Sequence, residues 1–444
     1  MNYSDSERME AYLEALGFNK TANWKEADLM ILNTCSIRQK AEDKVFGLTI
    51  QVAAHKKTNP NLMVVVTGCM VRKSSSKYSL KRDQLFNKIR ELDVALRTEE
   101  LPKLAQLTRE VNPEFEIKEI EEEGLEDYFQ ITPTHSSHQS KAQAFVAISN
   151  GCDKFCTYCI VPYSRGREKS RKIEDIIKEC TELVENGCKE ITLIGQTVNS
   201  YGLSKYDDEH ATFKHMDDKE PFVYLLEELD KLSEKGLVRV RFTSPHPCDM
   251  SDQLIEVMTT LKTQMPYLHL PVQSGDNRTL RRMNRNYTIE HYKEIVSKLR
   301  AKNPDISIST DIIVGFCGEP EEEFDITYKF FEEMGFEHAY ISRYSQRTGT
   351  TAAKFIKDDI SPKVKGERWH KLNELLKITS KKAMERFIGR TVEVLVEEQN
   401  GKTCLGRDAN FKTVQFESGR PILGEIVPVK ITGQQPWLLE GELV

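Results

Sequence analysis

Residues 144–160, Ala144-Phe-Val-Ala-Ile-Ser-Asn-Gly-Cys-Asp-Lys-Phe-Cys-Thr-Tyr-Cys-Ile160, join an apolar, strand-like run to a loop that sets Cys152, Cys156 and Cys159 in a C-x3-C-x2-C pattern. A loop at a strand end can turn three thiolates toward one point, which suits a metal or an iron–sulfur cluster. A closed structural zinc site wants four protein ligands, whereas a cubane cluster on three cysteines keeps one iron free for a small molecule. The open position points to an enzyme.

Downstream of this loop the pattern alternates regularly. Helical periodicity over 173–186, 223–235, 252–262, 289–302 and 321–334 is separated by strand-like runs at 190–194, 238–242, 267–270, 306–314 and 338–343. Six strands alternating with five helices imply a parallel (β/α)6 barrel, closed or partial, with its site at the carboxyl ends of the strands. The segments after those strands are polar and glycine-rich: Gly195-Gln196-Thr-Val-Asn199, Thr243-Ser-Pro-His246, Pro271-Val-Gln273-Ser274-Gly275, Gly315-Phe-Cys-Gly318-Glu319 and Tyr344-Ser-Gln-Arg347. Such loops serve as turns and caps, or together offer donors and close backbone approach to a polar ligand. Asn199 and Gln273 can each supply both donor and acceptor.

Upstream, 6–16 and 41–56 read as helices, and 27–33 and 62–67 as buried strands, which makes a small doubly wound α/β domain over 1–111. Cys35 and Cys69 each follow one of those strands, where ligands of open α/β sheets gather. Residues 112–141 are acidic, then Ser/His/Thr-rich, and read as a linker in which His135 and His138 are solvated. The barrel domain spans 142–380, with a surface insertion near 206–220. From 381 to 444 five short strands with intervening turns suggest a small all-β barrel.

The formal net charge of -6 marks no global nucleic-acid binder, and over 382–444 Lys and Arg (8) balance Asp and Glu (9), so any basic surface must be local. Two basic runs follow site loops, Arg165, Arg167, Lys169, Arg171 and then Arg281, Arg282, Arg285; they read either as solvated faces or as contacts to a phosphate-bearing substrate. No apolar run is long enough for a membrane helix and the N-terminus lacks a signal peptide's apolar region, so the cytoplasm is the expected compartment. Ten cysteines in 444 residues are too sparse for a disulfide scaffold. Cys180, Cys188, Cys248, Cys317 and Cys404 read as packed thiols.

The stretches 150–171 (NGCDKFCTYCIVPYSRGREKSR), 193–202 (LIGQTVNSYG), 268–288 (LHLPVQSGDNRTLRRMNRNYT) and 309–319 (STDIIVGFCGE) resemble the radical S-adenosylmethionine methylthiotransferases. The likeness covers essentially the whole chain and is most similar to the MiaB-type subfamily that modifies tRNA adenosine. The resemblance implies an N-terminal methylthiotransferase domain, a partial radical-SAM barrel and a C-terminal TRAM barrel. It implies that Cys152, Cys156 and Cys159 hold a [4Fe-4S] cluster whose free iron takes S-adenosylmethionine, cleaved on reduction to a radical that abstracts hydrogen from carbon 2 of an isopentenylated adenosine beside the anticodon. Cys35 and Cys69 would then bind a second [4Fe-4S] cluster that supplies the methylated sulfur. Candidates for contacting S-adenosylmethionine are Gln196, Asn199, Gln273, Ser274, Asp311 and Arg343. The implied partners are tRNA, an electron donor such as flavodoxin or ferredoxin, and a supplier of sulfur, with no membrane. The family's third N-terminal cysteine sits in a Gly-Cys-Gln-Met-Asn motif, and this chain begins at its Met-Asn; the expectation is a start assigned too late. Two other readings stand beside this one: the same chemistry on another tRNA base or on a ribosomal protein side chain, and a non-catalytic RNA binder stabilised by zinc or a cluster.

Overall fold

The computed structural model describes residues 1–35, 39–118, 127–136, 138, 140–205 and 219–444, with only the backbone described at Gln39 and Lys40. The acidic run at 121–123 and most of the insertion expected at 206–220 lie outside them. The chain divides into two compact units: 1–137 with 150–153 and 159–168, and 138–149 with 154–158 and 169–444.

The first unit is built on a four-stranded sheet. Leu29–Thr34, Met63–Gly68 and Val94–Leu96 run parallel in that order, and the short strand Ser75–Ser76 closes the far edge antiparallel. Met63–Gly68 is buried along its whole length because both faces are covered. Met63 and Val65 pack with Met9, Tyr12 and Leu104, while Val66 packs with Leu85 and Ile89. Leu29–Thr34 is an edge strand and only half-buried, contrary to the buried strand expected there. The stretch read as a linker also departs from expectation: Tyr128 and Ile131 are buried with the helix Asn2–Ala15, and the Arg8 guanidinium bonds the Ile131 carbonyl. An apolar Tyr-Phe-Gln-Ile run inside polar composition was the available signal.

In the second unit the six expected parallel strands are present but form two sheets. Gln143–Ala147, Glu190–Ile194 and Arg239–Phe242 make one; Tyr267–His269, Ser307–Val314 and His338–Arg343 make the other. A single parallel bridge, Val240 with Gln264, links the halves just before Pro266, whose missing N–H cannot extend the ladder. The barrel is therefore partial. Helices Ile173–Glu185, Pro221–Asp230, Asp252–Thr260, Ile289–Lys302 and Glu321–Met334 cover its outside and share one apolar core with the strands. Ser251 and Thr288 cap two of these helices with their hydroxyls, satisfying otherwise orphaned N–H groups.

The helix Pro362–Glu385 leads into a closed five-stranded barrel, ordered Thr391–Asn400, Thr403–Arg407, Thr413–Glu417, Leu438–Leu443 and Ile426–Gln435. This barrel belongs to the second unit rather than standing apart, and the turn at 408–412 shows why. Phe411 stacks on Tyr267 at 4.8 Å, with the guanidinium groups of Arg241 and Arg407 5.0 and 4.5 Å from its ring. Arg241 donates to the Asp408 and Ala409 carbonyls, and Lys412 pairs with the buried Glu337. These residues sit at the amino ends of the parallel strands, opposite the end where the site loops leave.

Candidate functional site

In the first unit the strand register places Cys35 and Cys69 side by side. Thr34 is paired with Gly68, so the next residue of each strand is a cysteine, and the Cys69 N–H bonds the Thr34 carbonyl at 3.0 Å. Gly68 has φ +87° and a Cβ there would lie 2.2 Å from the Thr34 oxygen, so only glycine lets the two strand ends approach this closely. Cys69 is buried and Cys35 half-buried.

The first unit also holds both ends of the three-cysteine loop. The Cys152 N–H bonds the Gly166 carbonyl, and a Cβ at Gly151 (φ +85°) would lie 2.0 Å from the Arg167 oxygen. Arg165 is buried, donating to Asn150 Oδ1 at 2.9 Å and pairing with the fully buried Asp5, which also accepts from the Tyr128 hydroxyl. Burial pushes the Asp5 carboxyl up, but the charge and hydrogen bond of Arg165 more than offset this and hold it below the usual carboxylate range.

In the second unit the middle of the loop is fastened to the turn after the short helix Asn277–Arg282. Thr157 donates from N–H to the Met283 carbonyl and from Oγ1 to the Arg282 carbonyl, and Asn284 Nδ2 donates to the Phe155 carbonyl at 3.0 Å. Cys156 is buried, with the Arg285 guanidinium 3.5 Å from its Sγ. Arg285 is fixed by the Pro271 carbonyl and the Tyr287 hydroxyl. All ten cysteines are free thiols. Three thiols within eight residues, two of them buried and one in contact with a guanidinium, fit an iron–sulfur cluster.

The expected phosphate contacts separate into two groups. Arg165, Arg171 and Arg285 are buried and engaged within the protein; Arg171 pairs with Glu179 and bonds the Ala147 carbonyl. Arg282 pairs with buried Glu323. The charge run was legible in sequence, but the partners that engage these four side chains within the protein were not. Arg167, Lys169 and Arg281 stay exposed.

The candidates for cofactor contact divide similarly. Asn199 clamps two loops, donating to the His246 carbonyl at 3.0 Å and accepting its N–H at 2.7 Å, and Ser274 is buried against Thr327 and the Asp276 N–H. Both amide ends of Asn199 are thus occupied within the protein. Gln273 adopts φ +71° at the strand-four exit, where its N–H bonds the Asp311 carbonyl. Gln196 is half-buried and Arg343 exposed.

Asp311 lies on the inner face of the partial barrel, where sequence reading missed its neighbours. His269 sets Nδ1 2.8 Å from Ser309 Oγ and Nε2 3.5 Å from Asp311, and the rings of Tyr340 and His338 stand edge-on nearby. Tyr340 remains 46% exposed on that face. Burial and neighbouring Lys412 and His269 push the His338 imidazole down to about 4, so it is neutral. Period-two alternation in Tyr267-Leu-His269-Leu was the signal that could have found the inward pair. Among the cysteines read as packed, Cys248 is instead exposed, beside His246 and Asp249. The Lys154 ammonium already pairs with Asp249 at 2.5 Å, and burial with the Asp249 charge pushes the thiol up to about 11.

Comparison with known proteins matches three segments of the chain. Residues 146–331 match the Radical SAM superfamily, 1–89 the uncharacterized protein family UPF0004, and 385–444 the TRAM domain. The chain is 41% identical over 448 residues to the tRNA-2-methylthio-N(6)-dimethylallyladenosine synthase of Thermoanaerobacter sp. (strain X514), covering all of this chain and 90% of that protein. It is 40% identical over 450 residues to the protein of that name from Clostridium perfringens (strain SM101 / Type A), covering 95% of it. Among solved structures, the radical S-adenosylmethionine methyltransferase TsrM of Kitasatospora setae superposes with a TM-score of 0.53 at 13% identity, over 79% of this chain and 73% of that one. At that identity the likeness concerns the fold alone. No described helix is long and apolar enough to cross a membrane.

Proposed function

This chain belongs to the radical S-adenosylmethionine methylthiotransferases, the family of the tRNA-2-methylthio-N(6)-dimethylallyladenosine synthases, and we propose that it attaches a methylthio group to carbon 2 of N6-isopentenyladenosine beside the anticodon of tRNA. The observation that carries this reading is identity of about 40% over the whole length of this chain, which takes in all three matched modules. Cys152, Cys156 and Cys159 would hold the [4Fe-4S] cluster that binds S-adenosylmethionine, and Cys35 and Cys69 would contribute to a second. When bound, the first cluster supplies the electron that cleaves the sulfonium and so makes a carbon radical available.

The protein's own part is positional. Gly151 and the Thr157, Asn284 and Arg285 contacts fix the loop. Gln196, Gln273, Asp311 and Arg343 are the remaining candidates to orient S-adenosylmethionine at the strand ends. Tyr340, exposed on the inner face with His269 beside it, offers a ring on which an unstacked adenine can lie. The TRAM barrel and the exposed Arg167, Lys169 and Arg281 would contact the tRNA. A flavodoxin- or ferredoxin-like electron donor and a sulfur supplier would complete the system, in the cytoplasm with its tRNA. Nucleosides from cells with and without the gene test the reading: 2-methylthio-N6-isopentenyladenosine is expected only with it, and an unchanged nucleoside profile would reject the assignment.

A further inference from the structure

The enzyme proposed above must hold a polyanion, yet its net charge is -6 and its C-terminal barrel is charge-balanced. Four of the seven cationic residues expected to meet phosphate are committed inside the protein. Attraction of RNA then has to come from a local concentration of positive charge. The first unit contains one that neither the sequence motifs nor the family matches single out.

Resting on that functional reading, we propose that the cavity of about 350 Å³ lined by Arg72, Lys73, Ser74, Arg97, Glu100 and Lys103 is a binding site for the tRNA phosphate backbone. Its lining carries four cations against one carboxylate. Glu100 is already engaged by Ser74 Oγ and by the Lys103 ammonium at 2.5 Å. Arg97 is paired with Glu99, outside the lining, and its backbone N–H is tied to Ser74 Oγ. Arg72 and Lys73 form no ion pair among the described residues, so their charges are available to a ligand. Buried Asp83 accepts from the backbone N–H groups of both at 2.7 and 2.8 Å, which fixes the main chain that carries the two cations.

The cavity's position gives the site its meaning. The Arg72 guanidinium donates to the carbonyl groups of Cys69 and Val71, so Arg72 joins the cavity to the loop that carries Cys69. A phosphate held by Arg72 and Lys73 lays the RNA strand along the loop proposed to hold a ligand of the sulfur-donating cluster. Serine hydroxyl, guanidinium and ammonium groups are the usual backbone-positioning contacts, and they read no sequence. The site would orient the anticodon arm, leaving base choice to the barrel.

The test uses the full chain and an anticodon stem-loop RNA carrying isopentenyladenosine, with binding followed by fluorescence anisotropy across a salt series. Lys73→Glu with Lys103→Glu is compared with Lys25→Glu with Lys57→Glu, exposed lysines of the same unit outside the cavity that make the same change in net charge. The cavity pair is expected to weaken binding on the order of tenfold or more and to reduce the slope of log K against log salt by about 1, while the control pair keeps both near the natural value. Lys73→Gln, which removes one exposed and unpaired charge and leaves the packing intact, should give a smaller change of the same sign. If both pairs lose affinity equally, or neither does, the site is overturned and the function stands. If the unaltered protein binds no such RNA, the functional reading falls and the site with it.

Discussion

Arg165 sits in a basic run that invites a phosphate, and the structure gives it a different task that a single substitution can expose. Arg165→Met keeps most of the side-chain volume but removes the partner of Asp5, whose side chain is fully buried. Asp5 would retain the Tyr128 hydroxyl and the charge of the N-terminal ammonium. Removing one member of a buried ion pair costs roughly 3–5 kcal/mol, because the other charge is left desolvated. With Arg165 gone, burial, the largest influence on Asp5, pushes its carboxyl up. In the unaltered protein the Asp5 pKa is lower in the folded state than its ordinary 3.8, so the pair's contribution is present above that value and is lost as pH falls through the lower folded pKa. Hydrogen exchange across the helix Asn2–Ala15 at pH 7 is the direct readout. A cost of this size corresponds to a loss of roughly two to four orders of magnitude in amide protection where local opening governs exchange. The double variant Asp5→Leu with Arg165→Met should recover much of it, since apolar residues need no partner. Unchanged protection in Arg165→Met, together with a drop in RNA affinity and salt slope, would refute the structural role and return Arg165 to the RNA-facing group.

Other substitutions probe the remaining parts. Gly151→Ala should lower iron and sulfide per chain and the cluster's visible absorbance, since its Cβ would meet the Arg167 carbonyl oxygen; full cluster loading would contradict the role given to that turn. Cys35→Ser with Cys69→Ser should remove about one of two clusters' worth of iron and abolish methylthio transfer, as spectroscopy and product analysis would register. Phe411→Ala takes a ring from between two guanidinium groups and Tyr267, at a cost on the order of 2 kcal/mol for a half-buried aromatic. Its expected sign is faster proteolysis in the 408–412 turn; unaltered resistance would mean that the stacking contributes little.

Much of this architecture is legible in sequence because period and punctuation are local. The helices 289–302 and 321–334 and the strand at 338–343 lie where the apolar pattern places them. Cys35 and Cys69 are readable as a pair because parallel strands end together. What is not legible depends on partners remote in the chain. Arg165 finds Asp5 160 positions away, and Asn199 finds the His246 backbone 47 away, so both look free in sequence and neither is. The break between the third and fourth barrel strands comes from a pairing that fails beyond Val240 and Gln264, for which Pro266 was the local signal. Residues 128–131 pass for linker because their composition is mixed, although Tyr128 and Ile131 complete a core.

The central claim is sulfur insertion at carbon 2 of an isopentenylated adenosine, and the most direct measurement is mass spectrometry of nucleosides from tRNA treated anaerobically with the reconstituted protein and S-adenosylmethionine bearing a deuterated methyl group. The expected product is 2-methylthio-N6-isopentenyladenosine carrying the deuterated methyl, absent when Cys152, Cys156 and Cys159 are replaced by alanine. Isopentenyladenosine left unmodified by the protein with both clusters loaded, or the label found on another base, would contradict it.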